Sequence, residues 1–135
     1  MSAIIVVCVE GVLTLPTHDD IRKATPQLGV LKLISALAEA WPIAFLSSAP
    51  EEEVKQWLRS IQAPTWCWVA TAPEEERSRV ILRMLAQRQD RAQFVIAGDS
   101  AILDTMGSNG ISLLRIVHAE SYRLADWRQA STWEN

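Results

Sequence analysis

Five short apolar runs punctuate the chain, and between them apolar residues recur at helical spacing. Residues 3–9 (Ala-Ile-Ile-Val-Val-Cys-Val) are β-branched and continuous rather than alternating, the pattern of a strand buried on both faces of a parallel sheet. Residues 42–46, 65–70, 94–97 and 111–117 read as four further strands. Residues 28–40 place Leu31, Ile34, Leu37 and Ala38 on one helical face, and Val54, Leu58 and Ile61 form a second stripe. A third helix runs through Val80, Leu82 and Leu85 to about Gln89, and a short fourth one covers 102–106.

The helix starts carry their own chemistry. Ser48, Ala49, Pro50 and Glu51 form a capping-box pattern, in which the serine and the glutamate satisfy orphan backbone N–H groups and the proline needs none. Thr71, Ala72, Pro73 and Glu74 repeat it. Strands alternating with helices predict βαβ units, hence one α/β domain with a parallel sheet covered on both faces. No linker, repeat or low-complexity stretch divides the 135 residues, so a single domain is expected over 1–135, with its core at about 3–118. The last stretch, 119–135, is polar but carries Tyr122, Leu124, Trp127 and Trp133; it either packs on its own domain or serves as an arm for a partner, including a second copy of the chain.

Composition narrows the functional classes. A 49% apolar and 21% charged chain is that of an ordinary globular protein. A formal net charge of −3 supplies no field for nucleic acid or an anionic membrane, so neither is expected as a partner. The first apolar run is too short to span a bilayer and has no basic flank of a signal peptide. Cys8 and Cys67 form no CxxC pair, which argues against zinc and disulfides and makes a reduced, cytoplasmic setting the expectation.

In open parallel sheets, ligands bind beyond the carboxyl ends of the strands. Cys8, Glu10, Ser47, Asp99 and Asp104 fall at or just after such ends. Their order resembles that of the haloacid dehalogenase-like (HAD) phosphatases. The first family motif is a buried strand followed by Asp-x-Asp-Gly, a small or β-branched residue, Leu and Thr; the corresponding stretch is Val7-Cys8-Val9-Glu10-Gly11-Val12-Leu13-Thr14, with Cys8 and Glu10 at the two Asp positions. The second, a strand ending in Ser or Thr, is met by Ser47; the third, a basic residue near a helix start, by Arg77, with Arg79 as the second choice. The fourth, Gly-Asp with a second Asp beyond it, is met by Gly98, Asp99 and Asp104. A bare flavodoxin- or receiver-like fold accounts for the strands but not for the first and fourth motifs together.

The resemblance implies a three-layer Rossmann-like core with a five-stranded parallel sheet in the order 5-4-1-2-3. It also implies Mg²⁺-dependent phosphoryl transfer, with Asp99 and Asp104 as metal ligands, Ser47 and Arg77 on the phosphate, and catalytic acids at the positions of Cys8 and Glu10. The departure is at Cys8, which stands at the nucleophile position. A cysteine-dependent phosphatase needs an arginine where Thr14 stands, and a thiolate needs an electropositive pocket, whereas Asp99, Asp104 and Glu10 are expected to raise the thiol's pKa. A small buried hydrophobe is the better reading of Cys8. Glu10 keeps a carboxyl and only lengthens its reach. Two functional readings follow. One is a domain impaired as a phosphatase that binds a protein partner or a small anionic ligand, with weak Mg²⁺ binding at most. The other is an atypical Mg²⁺-dependent phosphohydrolase that uses water or Glu10 on an unknown phosphorylated substrate.

Overall fold

The computed structural model describes residues 2–15 and 20–117; the aromatic-bearing stretch at 119–135 and its expected partner role lie outside the described residues. Five strands alternate with four helices: β1 (Ala3–Cys8), α1 (Leu28–Leu37), β2 (Ile43–Ser47), α2 (Glu51–Ser60), β3 (Trp66–Thr71), α3 (Arg77–Arg88), β4 (Arg91–Ala97), α4 (Ser100–Ser108) and β5 (Leu113–Arg115). They form one all-parallel sheet in the order β3-β2-β1-β4-β5, the expected order read from the other edge. The fold is Rossmann-like α/β.

Period-two alternation along the strands sorts the core into two layers. Ile4, Val6, Cys8, Leu46, Val95 and Ala97 face one way and pack with Val80, Ile81 and Leu85 of α3 and Ile102, Leu103 and Met106 of α4. Ile5, Val7, Phe45 and Ile96 face the other way and pack with Ile34 of α1 and Val54, Trp57 and Leu58 of α2. β1 is central, buried from Ile4 to Cys8, which is why its sequence reads as an unbroken apolar run. Among the described residues, no helix is long and apolar enough to cross a membrane.

Three local expectations change, and β3 carries an irregularity besides. The two tryptophans of β3 alternate in the sequence but do not share a face: a register irregularity pairs Ile43 with Trp66 and Ala44 with Trp68, so the extra residue, Cys67, sends Trp66 and Trp68 into opposite layers. The fifth strand is only three residues long, exposed throughout, and pairs with β4 alone at the sheet edge. β4 starts earlier than its apolar run, at Arg91, because its backbone pairs with Ala3 of β1. Neither capping box forms. Pro50 and Pro73 precede the helical turns with no side-chain cap, Thr71 ends β3, and a 3-10 turn at Glu74–Glu76 comes before α3.

The carboxyl edge is held tight by backbone contacts. Val9 N–H donates to Leu46 C=O (2.8 Å), continuing the β1–β2 ladder past Cys8. The chain then closes a turn in which the N–H groups of Val12, Leu13 and Thr14 all approach Val9 C=O, with Gly11 at φ +85°. Glycine takes that left-handed conformation without a Cβ clash. Gly98, after β4, is required for a different reason: a Cβ there would stand 2.8 Å from the Gly11 carbonyl oxygen and 3.2 Å from that of Ile116.

Candidate functional site

β1 and β2 end side by side, since Cys8 pairs with Leu46, and β4 flanks β1 on its other side. Three strand ends therefore bring Glu10, Ser47 and the Gly98–Asp99 turn to one edge of the sheet. α3 starts against the same edge and supplies Arg77. The parallel topology thus gathers residues that are far apart in sequence, Glu10 and Arg77 being 67 positions apart.

Glu10 and Arg77 form a buried ion pair. Their side chains are 8% and 4% exposed, and Arg77 Nη2 donates to Glu10 Oε1. The same oxygen accepts the Ser48 N–H (3.1 Å), and Oε2 accepts the Ser47 hydroxyl. Ser47 Oγ in turn accepts the Ala49 N–H (3.1 Å), which commits its proton to the carboxylate. Arg77 Nη2 also donates to Ser48 Oγ (2.7 Å). Arg77 Nε is buried without a hydrogen-bond partner among the described residues. A charged pair taken out of water persists only when well hydrogen-bonded, and the carboxylate here is better provided than the guanidinium.

Ser48 is the residue that sequence reasoning assigned elsewhere. Read as a helix cap, it instead donates its N–H to Glu10 and lends its hydroxyl oxygen to Arg77. The adjacent pair Ser47-Ser48 at a strand end was the available signal. Arg77, the preferred basic candidate, reaches the cluster, whereas Arg79 is 78% exposed and pairs with Glu76.

Cys8 lies in the apolar layer under α3 and α4 and is buried. Burial pushes its thiol up to about 12 from an ordinary 9.0; Arg77 opposes the rise, while Glu10 and Asp99 add to it. The direction is the expected one, but the leading cause is desolvation rather than the carboxylates. Asp104 is not among the charges acting on the thiol. At neutral pH the group stays a thiol, whereas the thiolate is the nucleophilic form.

Asp99 is half-buried and serves as N-cap of α4, its Oδ1 accepting the Ala101 N–H (2.8 Å). It also lines a cleft of about 370 Å³ with Glu74, Glu75, Ser78, Ala101, Ile102 and Thr105. Asp104 lies further along α4 and is exposed, whereas Ile102, Leu103 and Met106 face the core. Among the described residues, no three His, Cys, Asp or Glu side chains are grouped to hold a metal ion. The donor set does not fit Mg²⁺, which wants several carboxylate oxygens in near-octahedral order: Glu10 is committed to Arg77, Asp99 to a helix start, and Cys8 is a soft, neutral thiol. The arrangement can hold a negative charge at Ser47, Ser48 and Arg77, and it holds that of Glu10.

Compared with known proteins, the sequence matches no protein-family model and no curated protein.

Proposed function

We propose that the chain is a HAD-like domain that does not carry out covalent phosphoryl transfer and works instead by binding a protein partner or a small anionic ligand. The observation that carries this reading is the commitment of Glu10: its carboxylate occupies the donors of Ser47 and Arg77, which the resemblance would assign to an incoming phosphoryl group, together with the Ser48 N–H. The neighbouring nucleophile position holds Cys8, whose buried thiol stays protonated far above neutral pH. Phosphoryl transfer depends on positioned charge and an aligned nucleophile, and both are spent here on the protein's own groups. Loss of a nucleophile typically lowers kcat by roughly 10³- to 10⁶-fold.

The test is turnover of a chromogenic aryl phosphate by the purified chain in millimolar Mg²⁺. The expected result is no hydrolysis above the protein-free rate. Mg²⁺-dependent turnover that disappears in Asp99→Asn overturns the reading and favours the atypical phosphohydrolase. That alternative requires Glu10 to leave Arg77 and Ser47 before it can act on water.

A further inference from the structure

We propose that residues 119–135 of this chain dock on the apolar sheet face beside α1, where Leu114 of β5 and Ile116 just beyond it are left partly open among the described residues. The proposal is independent of the functional reading above and of the family resemblance. Leu114 pairs in register with Ile96, a member of the α1/α2 layer, so its side chain stands on that face of the sheet. It is 37% exposed there, although Ile96 beside it is fully buried. Ile116 and Phe94 belong to the same layer and are only half-buried. On the α1 side of this strip, Val30, Leu31 and Leu37 turn toward the layer and stay half-buried, and Ile34 is the only fully buried residue of α1. Trp41, just past α1, meets Phe94 edge-on with 6.2 Å between ring centroids, which places that end of α1 beside β4. The other face of β5 has its cover: α4 packs there, where a Cβ on Gly107 would touch Leu113 at 3.6 Å. All-parallel sheets occur almost only with both faces covered, so the strip beside α1 requires an occupant.

Position and composition assign that occupant to the chain's own continuation. The 18 residues 118–135 follow Val117 directly, at the carboxyl end of the strip. Even at a helical rise of roughly 1.5 Å per residue they reach about 27 Å, more than the ~17–20 Å of an ordinary strand. Tyr122, Leu124, Trp127 and Trp133 are interleaved with charges of both signs, a composition with apolar groups to bury and polar ones to leave in water. Each aromatic buries roughly 150–250 Å², enough for a few of them to cover the strip. The tether gives this segment a local concentration of about millimolar or above, while a separate partner or a second copy arrives only at its bulk concentration.

The experiment is amide hydrogen exchange, read by mass spectrometry on the whole chain, for wild type, Leu114→Ser, Leu113→Ser and Leu124→Ser/Trp127→Ser. In wild type, amides within 119–135 are expected to exchange at least about tenfold slower than random-coil rates, and Leu114→Ser should return them to those rates. Leu113→Ser alters a leucine of similar exposure on the opposite face of the same strand, and should leave exchange over 119–135 as in wild type. Reciprocally, Leu124→Ser/Trp127→Ser should speed exchange over 28–37 and 113–116 by about tenfold. Random-coil exchange throughout 119–135 in wild type overturns the proposal, and so does protection that survives Leu114→Ser. An equal loss in Leu113→Ser also overturns it, because β5 would then be loosened as a whole. Sedimentation velocity across a concentration series separates the occupants: a dimer whose dissociation on dilution removes the protection assigns the strip to a second copy and refutes the same-chain assignment. Should Leu114→Ser fail to fold, the tail variant decides, and unchanged exchange over 28–37 and 113–116 in it refutes the proposal.

Discussion

Removing either partner of the Glu10–Arg77 pair is predicted to destabilise the fold by unequal amounts. Breaking a buried pair by deleting one side costs about 3–5 kcal/mol, because the remaining charge is left in a low-dielectric site. The remaining partners decide where in that range each variant falls. In Arg77→Met the carboxylate keeps the Ser47 hydroxyl and the Ser48 N–H. In Glu10→Leu the guanidinium keeps Ser48 Oγ, and its Nε already has no partner among the described residues. Arg77 is also the first residue of α3, where the helix dipole opposes a cation and adds up to about 1 kcal/mol against it. The expected costs are about 3 kcal/mol for Arg77→Met and about 4–5 kcal/mol for Glu10→Leu. Glu10→Leu/Arg77→Met, which removes both charges and fills the space with apolar side chains, should fall within about 1 kcal/mol of wild type.

Urea unfolding followed by tryptophan fluorescence measures all four proteins. At about 0.05 kcal/mol per residue, 135 residues give a total near 7 kcal/mol, so even Glu10→Leu retains a folded baseline. With an m-value of about 1.5 kcal/mol/M, its midpoint should fall by roughly 3 M and that of Arg77→Met by roughly 2 M. The double-mutant cycle should return a coupling energy of about 6 kcal/mol or more, far above the 0.2–1 kcal/mol typical of exposed pairs. Single variants within about 0.5 kcal/mol of wild type would show that the pair is not buried in solution. A larger loss from Arg77→Met than from Glu10→Leu would refute the partner count that sets the order.

Two further outcomes are expected. The Cys8 thiol has a folded pKa of about 12 against 9.0 unfolded, so its contribution is complete below pH 9 and is lost as pH rises toward 12, by up to about 1.4 kcal/mol per pH unit; Cys8→Ala should remove that component from stability measured between pH 8 and 11, and parallel profiles would contradict it. Gly98→Ala should cost about 1–3 kcal/mol in denaturant melts, since its Cβ would meet two backbone carbonyl oxygens that no side-chain rotation can relieve, and a neutral outcome would mean that the turns after β1 and β4 do not touch.

How much of this was legible beforehand depended on how local the cause was. β1 could be read directly, because a strand buried on both faces has no polar positions to interrupt it. The sheet order also followed, since Cys8 and the Gly98–Asp99 turn had to end neighbouring strands to share an edge, and β1 does lie between β2 and β4. Ser48 was misread because a capping box is a local pattern that costs nothing to propose, while the arginine that claims its hydroxyl comes 29 positions later. The opposite facing of Trp66 and Trp68 rests on one inserted residue, which alternation counting cannot detect. Asp104 was grouped with Asp99 by spacing along a motif; the helix that joins them turns it to solvent.

The carboxylate at Glu10 also constrains what wild type can bind. An anion approaching Ser47, Ser48 and Arg77 competes with a group tethered to the end of β1, only two residues past Cys8. A short tether gives the tethered group a local concentration of millimolar or above, and a rigid one exceeds that. The backbone around Glu10 is rigid: Val9 continues the β1–β2 ladder, Gly11 N–H donates to Thr14 C=O, and Val12 and Leu13 are fully buried. On the proposed reading, an anion that displaces such an occupant must bring contacts beyond those that Ser47, Ser48 and Arg77 supply. The Gly11 carbonyl of the Gly11–Thr14 turn lies against Gly98, next to Asp99 at the start of α4.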